Sequence, residues 1–101
     1  MSASVAGLVP QLRAAATIVV NWSAQYGGRL TSTYRSYTDQ LALWNNRGRN
    51  PYPVAPPGSS YHQLGRAFDI AAPPAVLAAA GAWWNSIGGT WSPRDPIHFQ
   101  A

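Results

Sequence analysis

Residues 60–71 read SYHQLGRAFDIA, and this stretch decides how the rest of the chain is organised. From Arg66 onward, bulky apolar side chains alternate with small or polar ones, which is typical of a β-strand with one buried face. Phe68 and Ile70 are predicted to face the core, and Asp69 to face the other way between two alanines. The small neighbours leave room at the carboxylate for an ion and a substrate.

The C-terminal residues 95–100, Asp-Pro-Ile-His-Phe-Gln, show the same alternation. Ile97 and Phe99 are predicted to lie on one face, and His98 and Gln100 on the other. The chain has two His, three Asp and no Glu, and both His and two of the Asp fall in these two stretches. Two strands therefore each present a candidate ligand on the face away from the core.

The composition fits a single domain spanning residues 1–101, with 47% hydrophobic residues and five Trp to build a small core. The chain has no Cys, which excludes disulfides and thiolate metal sites. Any metal ion must bind His and carboxylate. This donor set suits zinc with an open coordination position better than a closed structural zinc site.

The net charge of +4 comes from seven Arg that are scattered along the chain without a dense patch. This dispersion argues against a nucleic-acid-binding protein. No stretch approaches the ~20 apolar residues of a membrane span. The N-terminus lacks a basic leader before its apolar run, which argues against a secretory signal. We expect a monomer.

The remaining pattern predicts an α+β domain with a small, mainly antiparallel sheet and about three packed helices. A loop over residues 47–59 holds four of the nine Pro and is either a rim of a substrate groove or a connector. The other predicted elements are a helix from about Ser4 to Tyr26 that is regular from Pro10, a strand over 29–34, a helix from Ser36 to about Asn46, a helix from Pro74 to Ile87, and short strands at 90–92 and 97–100.

Zinc used for hydrolysis needs three protein ligands and one position for water, and His62, Asp69 and His98 supply that set. Asp95 is the candidate that takes a proton from water and passes it to the leaving amine. Arg35 is the candidate cation for the oxyanion. The alternatives are that each His is a hydrogen-bonded structural residue, that Asp69 faces solvent, and that Asp95 is a turn residue.

Four other polar or aromatic residues carry less specific signals. Asp39 has a sufficient role in the first turn of the second helix, where a negative charge is favourable. Polar surface is the default interpretation of Gln40 and Gln100. Trp91 follows the Gly-Gly pair that ends the third predicted helix, and its position is equally consistent with a core residue and with a surface that contacts substrate.

The chain resembles the VanY-like family of zinc D-alanyl-D-alanine carboxypeptidases and L-alanyl-D-glutamate endopeptidases, whose motifs appear here as Ser60-x-His62-x-x-Gly65-x-Ala67-x-Asp69 and Asp95-x-x-His98. The similarity extends to Tyr34-Arg35-Ser36 with Gln40, to Pro57-Gly58-Ser59 and to Gly88-Gly89-x-Trp91. It implies the fold that this family shares with the hedgehog signalling domain. It also implies Zn²⁺ held by His62, Asp69 and His98, Asp95 as acid and base, and substrate contacts at Arg35, Ser60, Gln40 and Trp91.

The resemblance implies hydrolysis of the stem peptides of bacterial peptidoglycan. Asp at position 95, where many relatives carry Glu, and the His-Phe ending are closer to the phage endolysin branch, which favours an L-Ala-D-Glu-type endopeptidase acting in lysis or in a phage tail. The alternatives are a D-Ala-D-Ala carboxypeptidase and a non-catalytic, zinc-stabilised protein that binds cell walls or builds a virion.

Overall fold

The computed structural model describes residues 3–101, and within that range it contains three α-helices and four strands. The helices are α1 (Pro10–Ala24), α2 (Tyr37–Asn45) and α3 (Pro74–Ser86), and the strands are β1 (Arg29–Ser32), β2 (Ala67–Ala71), β3 (Thr90–Trp91) and β4 (His98–Gln100). Short 3-10 turns lie at Val5–Gly7, Arg47–Arg49 and Tyr61–Leu64. The predicted α+β class is confirmed.

The four strands form one antiparallel sheet in the order β1-β2-β4-β3. In the central pair, Phe68 lies opposite Phe99 and Asp69 lies opposite His98. The two alternating patterns therefore meet in register, so that the apolar side chains share one face and the candidate ligands share the other.

The core packs against the apolar face of this central pair. Phe68 and Phe99 are stacked with ring centroids 5.2 Å apart, and the Trp84 ring of α3 meets Phe68 edge-on at 5.0 Å. Trp84 also donates a hydrogen bond from Nε1 to the main-chain oxygen of Gln100, at 2.9 Å. This bond fixes β4 to α3, so the helix layer sets the position of the strand that carries His98.

The first strand ends earlier than the sequence predicts, at Ser32 rather than Tyr34. Beyond Ser32 the backbone pairs with the turn at His62 instead of with β2. The main-chain N–H of Arg35 donates to the His62 carbonyl oxygen at 3.0 Å, and the Thr33 carbonyl contacts the His62 ring. The chain leaves the sheet because this local pairing satisfies its backbone groups.

The helix boundaries follow their local signals. Pro10 and Pro74 start α1 and α3, where a missing N–H costs nothing, and the Ser36 hydroxyl caps α2 by accepting from the Asp39 N–H at 3.1 Å. The predicted first helix extends too far, because α1 ends at Ala24 and Tyr26 lies beyond it with 53% of the residue exposed. No helix within residues 3–101 is long and apolar enough to span a bilayer.

The loop between α2 and β2 is anchored by Gln40, which donates from Nε2 to the Ala55 carbonyl oxygen at 2.7 Å. The sequence suggests polar surface for Gln40, and this is wrong, because the residue is only 1% exposed. Its burial is tolerated because Arg35 donates to its Oε1 at 2.8 Å, so both ends of the amide are satisfied.

Candidate metal centre and active site

The turn Tyr61–Leu64 positions His62. The Ser60 hydroxyl accepts a hydrogen bond from the His62 main-chain N–H at 3.2 Å, and Gly65 ends the turn with a φ of +67°. A Cβ on Gly65 would lie 3.1 Å from the Gly7 carbonyl oxygen, so both the left-handed backbone and the close approach favour glycine.

In each candidate imidazole, one of the two nitrogens lies within hydrogen-bond distance of an oxygen that can only accept. Nδ1 of His62 lies 2.6 Å from the Thr33 carbonyl oxygen, and Nε2 of His98 lies 2.7 Å from Oε1 of Gln100. Both oxygens accept hydrogen bonds, so each of these two nitrogens carries a proton, and the second nitrogen of each ring can bind a metal ion or, when it is protonated, donate to Asp69. Nε2 of His62 and Nδ1 of His98 are thereby left to face Asp69.

The three candidate ligands converge on one point. Nε2 of His62 and Nδ1 of His98 lie 3.1 Å and 3.3 Å from Oδ1 of Asp69. One potential ligand atom from each of the three residues lies within 4.8 Å of the others. Two imidazole nitrogens and a carboxylate oxygen are a donor set that catalytic zinc uses, and a second hydrogen bond on each ring is typical of metal-bound histidine. The residues therefore fit a zinc ion.

The electrostatics of the centre keep Asp69 ionised. Burial is the largest influence and raises the pKa of Asp69, but the hydrogen bonds and charges of His62 and His98 outweigh it and lower that pKa to about 2. Burial lowers the pKa of His98, whereas the hydrogen bonds to Asp69 and Gln100 raise it, and the net shift is upward. The pocket thus favours an anionic carboxylate between two imidazoles.

Asp95 lies in the turn that enters β4. Its N–H donates to the Ser92 carbonyl oxygen at 3.1 Å, and its carbonyl accepts from the His98 N–H at 3.0 Å. Trp91 steadies the turn by donating from Nε1 to the Pro96 carbonyl oxygen at 2.8 Å. Burial raises the pKa of the Asp95 carboxyl, against a lowering influence from His98, so this acid holds a proton more readily than usual.

Arg35 is held by three side chains. It donates to Oε1 of Gln40 at 2.8 Å and to the Ser32 hydroxyl at 2.9 Å, and its Nη2 lies 3.6 Å from Oδ2 of Asp69. Burial lowers the pKa of Arg35, and the nearby Asp69 and Asp39 partly offset that effect. The guanidinium is a cation in a fixed place beside the candidate metal ligands.

A cavity of about 530 Å³ unites the residues predicted from the sequence. Its lining includes the metal-ligand candidates, the acid and base candidate, the cation candidate and the three further substrate-contact candidates, namely His62, Asp69, His98, Asp95, Arg35, Ser60, Gln40 and Trp91. The loop forms part of its wall through Asn50, Tyr52, Pro53, Val54 and Ala55, which agrees with the rim hypothesis.

Three predicted substrate contacts also serve the protein itself. The Ser60 hydroxyl bonds the His62 backbone, and both polar groups of Gln40 bond protein atoms. The Trp91 ring lies so close to Gly81 of α3 that any Cβ there would overlap it. Trp91 thus combines a packing role with a place on the cavity wall, while direct contact of these residues with substrate stays a prediction.

Two partners of the site were missed from the sequence, and Asp39 lies outside the cavity lining. Gln100 was assigned to polar surface, although its position two residues after His98 on the same strand face was a usable signal. The Thr33 carbonyl is a backbone group, for which the sequence carries no signal. Asp39 lies exposed in the first turn of α2, which agrees with its predicted role as a favourable negative charge at the start of this helix.

The fold and the ligand set define a small α+β domain with one candidate metal centre at the side of an open cavity. Residues 3–86 match the family model described as VanY, D-alanyl-D-alanine carboxypeptidase, and the chain therefore belongs to this family. The matched region contains Arg35, His62 and Asp69, and it ends before Asp95 and His98. No curated protein sequence gives a significant match.

Solved structures share the fold at low sequence identity. The D,D-dipeptidase VanXYg superposes with a TM-score of 0.72 at 18% identity, over 92% of this chain and 49% of its own. A D,D-pentapeptidase VanY variant from a VanB-type resistance cassette, in complex with Zn(II), gives 0.66 at 20% identity, over 92% and 71%. The L-Ala D-Glu endopeptidase ChiX of Serratia marcescens gives 0.61 at 20% identity, over 95% and 81%.

This chain thus spans about half the length of VanXYg. At these identities the similarity shows the fold alone. The candidate roles of individual residues rest on the geometry described above and on the sequence motifs.

Proposed function

We propose that this protein is a zinc-dependent peptidase that hydrolyses a peptide bond in peptidoglycan stem peptides. The observation that carries the proposal is the convergence of His62, Asp69 and His98 within 4.8 Å, in the same cavity as Asp95 and Arg35. A structural zinc site needs only the ligands, and usually four of them. Hydrolysis also needs a group that transfers a proton and a group that stabilises negative charge. Asp95, an acid with a raised pKa, and Arg35, a cation in a fixed place, are such groups in the same cavity.

In this proposal, His62 Nε2, an Asp69 oxygen and His98 Nδ1 hold the zinc ion. The ion supplies Lewis acidity and lowers the pKa of a water molecule to about 7. Asp95 accepts the proton of the attacking water and returns it to the leaving amine. Arg35 stabilises the negative charge that develops on the carbonyl oxygen, and Ser32 and Gln40 keep its guanidinium in place.

The bond expected from the sequence resemblance is the one between L-Ala and D-Glu. A second candidate is removal of a terminal D-Ala, and it is supported by the family description and by the single cationic side chain, Arg35, among the described residues lining the cavity. A carboxypeptidase has to bind the terminal carboxylate, and Arg35 would then perform that task. The origin in phage lysis or a phage tail, and the monomeric state, stay predictions from the sequence.

Mass spectrometry of purified peptidoglycan after digestion with the zinc-loaded protein tests the proposal. An L-Ala-D-Glu endopeptidase releases peptides with a new D-Glu amino terminus, whereas a carboxypeptidase releases free D-Ala. The His62→Ala variant should release neither product. If the protein binds zinc and cell walls but releases no peptide or amino acid, the non-catalytic wall-binding or virion alternative replaces the proposal.

A further inference from the structure

A second depression adjoins the active-site cavity on the far side of Arg35. It measures about 420 Å³, and its lining includes Tyr34, Asp39, Leu43 and Asn46. Arg35 and Leu43 line both spaces. The two compartments therefore share a wall formed by Arg35 and Leu43, and a peptide lying in the cavity would reach the second depression by extending past these two side chains.

Asp39 brings a carboxylate to this depression, whose lining also contains the cationic Arg35. The other two acidic side chains of the sequence, Asp69 and Asp95, line the cavity, so Asp39 is the only acidic side chain outside it. Within residues 3–101, the ion pairs to Arg and His all involve Asp69 and none involves Asp39. The capping of α2 uses the main-chain N–H of Asp39 and the Ser36 hydroxyl, which leaves the Asp39 carboxylate available to a ligand.

The neighbouring Arg35 does not neutralise Asp39 by direct contact. Its guanidinium bonds Ser32 and Gln40 and faces Asp69. Tyr34 is exposed and brings an aromatic ring to the same depression, and Leu43 brings an apolar side chain. A carboxylate, an aromatic ring and an aliphatic surface together suit an ammonium group on an alkyl chain.

We infer that this depression is a second substrate subsite, in which Asp39 binds an ammonium group of the peptide. The inference rests on the proposed peptidase function and adds a preference to it. The ammonium group has two possible sources, a side-chain amine such as that of a lysine residue and the free amino terminus of the peptide. An exposed ion pair of this kind strengthens binding by about two- to fivefold.

Calorimetric titration of the zinc-loaded Asp95→Asn protein with three synthetic stem peptides tests the inference without requiring cleavage. One peptide contains free lysine, the second acetylated lysine, and the third free lysine with an acetylated amino terminus. We expect Kd to rise about two- to fivefold when the bound ammonium is acetylated, and the affected peptide identifies the source. Adding Asp39→Asn should remove the difference between the peptides, and added salt should reduce it.

A matched variant separates ligand binding from helix electrostatics. Asp39→Asn combined with Thr38→Asp keeps a carboxylate in the first turn of α2 but moves it to a neighbouring exposed position. We expect this variant to lack the preference, as Asp39→Asn does, and a restored preference would overturn the inference. Equal binding of all three peptides overturns the subsite alone. A preference for the peptide with the free ammonium group, without cleavage by the wild-type protein, supports the subsite and rejects the peptidase function. Failure of every peptide to bind would reject both.

Discussion

The side-chain oxygen of Gln100 lies 2.7 Å from Nε2 of His98, and this contact determines which nitrogen of His98 faces the candidate metal centre. His62 has the corresponding contact with the Thr33 carbonyl, at 2.6 Å. One imidazole is therefore oriented by a side chain and the other by the backbone. Only the first of these contacts can be removed by a simple substitution.

Replacing Gln100 with Leu should weaken zinc binding about 10- to 100-fold, because His98 loses the acceptor that fixes its tautomer and ring orientation. Gln100→Glu should keep zinc affinity near or above the wild-type value, since a carboxylate also accepts the bond. Competition with a chromophoric chelator measures both. Gln11→Leu, an exposed change on α1, is the matched control, and equal affinities of Gln100→Leu and wild type would contradict the positioning role.

Zinc should stabilise the folded chain. At a free concentration 100 times Kd, an ion that binds only the folded state adds about 2.7 kcal/mol. For a domain of this size, that gain raises Tm by roughly 10–20 °C. Differential scanning fluorimetry with chelator and with zinc measures the shift, and His98→Ala should abolish most of it. A wild-type Tm that does not respond to zinc would speak against the site.

Asp95→Asn should lower kcat by about 10²- to 10⁴-fold, because the amide cannot carry the proton from water to the leaving amine. Zinc affinity should remain near the wild-type value, since Asp95 is not among the three converging ligand candidates. Release of stem-peptide fragments and chelator competition on the same sample give the two readings. Full activity with zinc bound would mean that another group moves the proton.

Gly81→Ala should lower the free energy of unfolding by about 1–2 kcal/mol, although Ala is the better helix former. The reason is that the new Cβ would overlap the Trp91 ring, which must then move away from α3. Gly48→Ala is the matched control, because nothing lies within 4 Å of its Cβ position, and its stability should change little. Urea denaturation of both variants compares them, and equal midpoints would contradict the packing of Trp91 on Gly81.

The helices and the faces of the strands were predictable because their signals are local. Pro10 and Pro74 mark helix starts, and the alternation around Asp69 and His98 assigns each of them to the face away from the core. Side-chain direction in a strand repeats every two residues, so a short sequence is sufficient to find it. Because the sequence has only three Asp, no Glu and two His, these two residues and His62 are most of the side chains that could bind a metal ion.

The sequence by itself thus determined which residues could form a metal centre and on which strand face two of them lie. The tertiary structure alone decided that Asp69 pairs with His98 in register, that Gln40 is buried beneath Arg35, and that the Thr33 carbonyl orients His62. The physical reason is that strand register and backbone hydrogen bonds between remote segments depend on how the whole chain packs. No local pattern encodes the distance between two residues separated by 29 positions, such as Asp69 and His98.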